Sequence, residues 1–162
     1  MLEIVALNIL RGTRSGYNMG ESTLFERILS GEIPGNFVAR GDYWGSFLDV
    51  FPRRSGHTLV VPTRPVQRLI ELPAQELAAL MEGVQETQKR LSKYFETNDF
   101  SIIIHDGPIA GQEIPHLHIH VIPRTNGDGG RSLLSMWPNV PAPEGSPDFD
   151  KLSKLCKAIN EA

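Results

Sequence analysis

The segment His116-Leu117-His118-Ile119-His120-Val121-Ile122 alternates imidazole and aliphatic side chains with a period of two. A β-strand sends successive side chains to opposite faces, so this run predicts a strand with three imidazoles on one face, about 6.5 to 7 Å apart at each step. Leu117, Ile119 and Val121 then point into a core. Three unpaired imidazoles on a buried sheet face would be expensive, so that face needs ligands or hydrogen-bond partners. The other two histidines of the chain fall on neighbouring strands: His105 ends one and His57 begins another. Taken alone, each of those two reads more naturally as a hydrogen-bonded structural residue.

The flanking sequence supplies the rest of a sheet and one long helix. Ser22 or Thr23 can cap a short helix with Leu24, Phe25, Ile28 and Leu29 at helical spacing, stopped by Gly31 and Pro34. Phe37 to Arg40, Trp44 to Phe51 and His57 to Val61 read as strands separated by Gly, Asp and Pro turns. Pro73 opens a helix in which Leu77, Leu80, Met81, Val84, Leu91 and Tyr94 or Phe95 recur at three- and four-residue steps. Phe100 to His105 and His116 to Pro123 follow as strands, joined by the loop Asp106 to Pro115. An α+β domain is predicted, with an antiparallel sheet of about five strands packed on the long helix. Residues 1–21 form an extension, 22–125 the domain, and 126–162 a Gly- and Pro-bearing tail with a short helix from about Asp148.

Composition narrows the partners. Sixteen Lys and Arg against 19 Asp and Glu give a net charge of −3, which supplies no field for a long nucleic acid. No apolar run approaches the roughly 18 residues that a membrane span needs. The apolar stretch Ile4 to Leu10 lacks a basic leader and reads as an appendage rather than a signal. A single cysteine, Cys156, allows no internal disulfide and no thiol-based metal cluster, so a cytoplasmic setting is expected.

Two chemistries suit a row of imidazoles. Three can hold a metal with a fourth position open to water. Alternatively, a neutral imidazole attacks an electrophile covalently while its neighbours donate hydrogen bonds to developing negative charge. The loop before the strand favours the second, because the backbone N–H groups of Gly107, Gly111 and Gln112 can reach an anion unobstructed by side chains.

His116-x-His118-x-His120 with two following aliphatics, preceded by Ala110-Gly111-Gln112, resembles the signature of the histidine triad (HIT) nucleotidyl transferases and hydrolases. The resemblance continues through Gly31-Glu32-Ile33-Pro34, Phe47-Leu48-Asp49 and Gly56-His57-Thr58-Leu59-Val60-Val61-Pro62, covering roughly Thr23 to Arg124. Asp106-Gly107-Pro108 and Pro123-Arg124 look closer to the fragile-histidine-triad branch. Gly31 to Pro34 is more like the bacterial branch related to purine-nucleoside phosphoramidases.

The resemblance implies that His118 attacks the α-phosphorus of a purine nucleotide and is transiently nucleotidylated, with no cofactor or metal required. Water then releases the nucleoside monophosphate. By the same resemblance, His120 and Gln112 donate to the phosphate, Gly111 belongs to the phosphate loop, and His116 and His57 support the ring of His118. It also implies that Asp49 accepts from the ribose hydroxyls and that Phe25, Ile28, Phe47 and Leu59 enclose the base. Asp49 is equally suited to capping the turn at Pro52, and the four apolar residues are equally suited to a core. A homodimer with a continuous sheet is the family's usual assembly.

Three departures stand out. Thr23 and Glu26 occupy positions where many bacterial relatives carry a zinc-binding Cys-x-x-Cys. His105 stands where relatives usually have Asn or Gln, beside the phosphates. Glu113 replaces a Ser or Thr near the leaving group, where a carboxylate either acts as general acid or repels polyphosphate. Dinucleoside polyphosphates, aminoacyl adenylates and nucleoside phosphoramidates are the expected substrates. A nucleotide-binding regulatory module with little turnover is the alternative.

Overall fold

Thr23 opens the first helix, α1 (Leu24–Leu29), as a reciprocal cap: its hydroxyl accepts the Glu26 N–H while the Glu26 carboxylate accepts the Thr23 N–H at 2.6 Å. Two donors left open at any helix start are thereby satisfied. In this computed structural model residues 22–130 and 148–161 are described. The expected extension, 1–21, and residues 131–147 of the tail lie outside them. The chain divides into two units after Asp128.

The first unit is a single antiparallel sheet flanked by helices. Strands β1 (Phe37–Arg40), β2 (Trp44–Leu48), β3 (Thr58–Pro62), β4 (Phe100–Ile104) and β5 (Ile119–Pro123) lie in the order β1-β2-β3-β5-β4. One face packs on α2 (Ala74–Phe95), where Leu80, Val84 and Leu91 meet Ala39, Trp44, Val60, Leu117, Ile119 and Val121. Gly83 makes the close approach possible, since a Cβ there would sit 2.5 Å from the Trp44 ring. The opposite face carries Phe47, Leu59 and Val61, covered by Phe25 from α1.

Alternation along the histidine run holds: Leu117, Ile119 and Val121 are fully buried on the α2 side. Regular pairing nevertheless begins only at Ile119, because the Leu117 N–H donates to the Val66 carbonyl rather than to a neighbouring strand. Strand β2 stops at Leu48, short of the expected Phe51, because the Asp49 carboxylate accepts the Phe51 N–H and turns the chain. Along α2 the buried stripe is Leu80, Val84, Thr87 and Leu91. Of the expected pair Tyr94 or Phe95, Phe95 packs against the core while Tyr94 is 80% exposed; Met81, also expected on that stripe, is 43% exposed because it falls beside the row that meets the sheet.

The second unit contributes α3 (Phe149–Asn160), close to the expected start at Asp148. No helix among the described residues is long and apolar enough to cross a membrane.

Candidate active site

Each imidazole in the cluster has a partner that decides which nitrogen carries its proton. His116 is fully buried, with Nε2 2.9 Å from the Pro62 carbonyl and Nδ1 2.7 Å from the Thr23 hydroxyl. A carbonyl only accepts, so Nε2–H donates to Pro62 and Nδ1 accepts from Thr23. His118 Nδ1 lies 2.7 Å from the His116 carbonyl, which places the proton on Nδ1 and leaves the Nε2 lone pair free.

A second chain fixes His120. The Arg53 backbone N–H donates to His57 Nδ1 at 3.2 Å, so the proton of neutral His57 resides on Nε2. That Nε2–H donates to His120 Nδ1 at 2.9 Å, leaving His120 with an outward Nε2–H. The rings of His118 and His120 are 5.0 Å apart in a T-shaped arrangement. A lone pair and a hydrogen-bond donor thus stand side by side, which is what attack on a phosphorus with a developing oxyanion requires.

Burial keeps these rings neutral. Desolvation pushes the pKa of His57, His116 and His118 below the usual imidazole value, against the Asp49 carboxylate at His57 and the accepting carbonyls at the other two. His120 is driven down to about 3, first by burial and then by His118, His57, His105 and Arg53. Between pH 6.5 and 3 the unfolded chain therefore binds a proton at His120 that the native protein does not, so stability falls as pH falls through this range. We expect denaturant midpoints to drop from pH 7 to pH 5, with a shallower drop in His120→Asn; identical slopes would contradict the assignment.

The remaining expected residues occupy mixed situations. One Asp49 oxygen accepts the Phe51 N–H at 2.8 Å and the other sits 3.6 Å from His57 Nδ1, so the turn-capping role is present and one oxygen stays available. The Gln112 amide donates to the Gln67 carbonyl at 2.9 Å and retains its second N–H. Phe25, Phe47 and Leu59 are buried in one cluster with Ile28 partly buried at its edge, and Phe25 meets the His118 ring at 5.2 Å. Glu113 is exposed on the loop.

The loop amides do not behave as expected. Gly107 N–H donates to His105, Gly111 N–H to Pro108 and Gln112 N–H to Gly107, so all three close the loop's own turns instead of facing an anion. Gly111 has another role. Its φ is +97°, and a Cβ there would lie 3.3 Å from His105 Nδ1, so the glycine makes room for that ring. His105 Nδ1–H donates to the Ala110 carbonyl at 2.6 Å, and the ring meets His120 at 5.4 Å.

Sequence reasoning missed four partners: the Thr23 hydroxyl as the ligand of His116, the Pro62 carbonyl, the Arg53 amide and Gln67. Thr23 was legible only as a helix cap. Backbone partners leave no trace in residue identity. Among the described residues, Asp49, His57 and His120 offer donor atoms within 4.8 Å of one another, near enough for a cation. Two of these residues, His57 and His120, are already joined by a hydrogen bond.

The HIT domain family model matches residues 30–127, and the chain belongs to that family. It is 34% identical over 136 residues to adenosine 5'-monophosphoramidase HNT1 of Saccharomyces cerevisiae, an alignment covering 84% of this chain and 79% of that protein. The bis(5'-nucleosyl)-tetraphosphatase of Schizosaccharomyces pombe is 41% identical over 83 residues, 51% of this chain and 46% of that protein. The crystal structure of the histidine triad nucleotide-binding protein of Candida albicans superposes with a TM-score of 0.72 at 30% identity, covering 86% of this chain and 96% of that one.

Proposed function

We propose that this chain hydrolyses purine nucleotides substituted on the α-phosphate, with nucleoside phosphoramidates as the preferred class, through a covalent bond to His118. The observation that carries this is the fixed tautomer of His118, whose Nδ1–H is held by the His116 carbonyl so that Nε2 has a free lone pair. His118 Nε2 attacks the α-phosphorus and the bond to the leaving group breaks. His120 Nε2–H and the second Gln112 N–H donate to the phosphate oxygens. Water then cleaves the phosphorus–nitrogen bond, releasing the nucleoside monophosphate and restoring the lone pair.

Supporting residues hold this pair in position. His116 is clamped at both ring nitrogens and holds the His118 ring through its carbonyl. His57 delivers its Nε2–H to His120 and so keeps the His120 donor pointing outward. The uncommitted Asp49 oxygen accepts from a ribose hydroxyl, and the edge of the Phe25, Ile28, Phe47 and Leu59 cluster receives the base. Similarity to an adenosine 5'-monophosphoramidase over most of both chains supports the amine-leaving class. The shorter match to a tetraphosphatase supports dinucleoside polyphosphates as a second substrate.

An adenosine 5'-phosphoramidate bearing a fluorescent amine tests the proposal. The purified protein is expected to release AMP and the amine at the same rate with and without EDTA. Nucleotide binding without release would favour the regulatory module instead, and loss of activity in EDTA restored by a divalent metal would overturn the metal-free route.

A further inference from the structure

Departure of an amine from phosphorus requires a proton, because an amide anion is too basic to leave. Resting on the hydrolase reading above, the geometry points to His105 as the residue that supplies that proton. The other four rings are already committed. His116 donates to Pro62 and accepts from Thr23, and it is fully buried. His57 is held by the Arg53 amide on one side and by His120 on the other. His118 donates Nδ1–H to a carbonyl and uses Nε2 for attack. His120 has one proton, on the nitrogen that faces the phosphate.

His105 differs from all four. It directly follows β4, two residues beyond Ile103, which pairs with His120, and its ring lies 5.4 Å from the His120 ring. Its Nδ1–H is tied to the Ala110 carbonyl, which fixes the ring plane, while Nε2 has no hydrogen-bond partner among the described residues. The residue is half-buried, and with Nδ1–H tied to a carbonyl its unpartnered Nε2 is the ring nitrogen that can give and take up a proton. Gly111 lets the ring lie against the loop without a clash. Glu113, on the same loop, makes no hydrogen bond among the described residues that would aim it.

The steps balance. His118 Nε2 forms a bond to phosphorus as the phosphorus–amine bond breaks, and the electron pair left on the amine nitrogen takes the proton from His105 Nε2. Water then adds to phosphorus and gives a proton to neutral His105, while the phosphorus–His118 bond electrons return to His118 Nε2. The net reaction consumes one water and returns both rings to their starting states.

The test compares two leaving groups in the first turnover, before water enters: an adenosine 5'-phosphoramidate of an alkylamine, and the p-nitrophenyl ester of AMP, whose phenolate leaves without a proton. His105→Gln preserves a donor for the Ala110 carbonyl but carries no transferable proton. It is expected to slow amine release by about 10²-fold and p-nitrophenolate release by less than about threefold. The ester reaction also reports that the variant is folded. Equal slowing of both substrates would make His105 a positioning or structural residue, and no slowing of either would remove it from the reaction; both results overturn the inference while leaving the hydrolase reading intact. Failure of the unaltered protein to release either group would overturn the hydrolase reading and this inference together.

Discussion

Replacement of His118 by alanine is expected to reduce phosphoramidate turnover by about 10⁴-fold or more while leaving AMP affinity within about threefold. The large loss follows from the proposed mechanism, in which the imidazole forms the bond to phosphorus and its removal eliminates the covalent route rather than weakening one contact. Binding survives because the base and ribose contacts proposed for the Phe25 cluster and Asp49 lie elsewhere. His118 is 7% exposed and makes one polar contact, to the His116 carbonyl, so truncation leaves that carbonyl unpaired and a modest stability loss accompanies it. Steady-state kinetics with calorimetric AMP titration checks both halves, and residual turnover above a tenth of the original would contradict the assignment.

His120→Ala is expected to lower kcat by about 10² to 10³-fold with a smaller change in KM. In the proposed mechanism the Nε2–H of His120 strengthens its hydrogen bond as charge develops on the phosphate oxygens, so the loss appears mainly in the transition state. The same substitution strands the His57 Nε2–H, which now donates to His120 Nδ1, and an unpaired buried donor costs about 1 to 3 kcal/mol. Kinetics should therefore be compared with a thermal melt of the same preparation. A KM effect with unchanged kcat would place His120 in ground-state binding alone.

Much of this architecture was legible because the strand period is rigid. The alternation from His116 to Ile122 predicted which side chains meet the helix, and Leu117, Ile119 and Val121 are fully buried there. The helix from Pro73 was visible from its apolar spacing, although which row of that spacing faces the sheet depends on packing that residue identity does not encode, hence the exposed Met81 and the choice of Phe95 over Tyr94. The tautomers were not legible at all. They depend on the Pro62 and His116 carbonyls and the Arg53 amide, groups present in every residue and placed only by the fold. For the same reason the Gly107 and Gly111 amides were expected to face an anion, whereas the tight turns of the loop use them internally.

The central claim is a covalent link between phosphorus and one imidazole nitrogen. Mixing the enzyme with an adenosine phosphoramidate, quenching in alkali, where a phosphorus–histidine bond survives, and measuring the intact mass tests it directly. The expected result is a species heavier by one AMP moiety, with the adduct mapped by peptide fragmentation to His118 and absent from His118→Ala. Release of AMP with no adduct at any quench time, or an adduct on another residue, would contradict it.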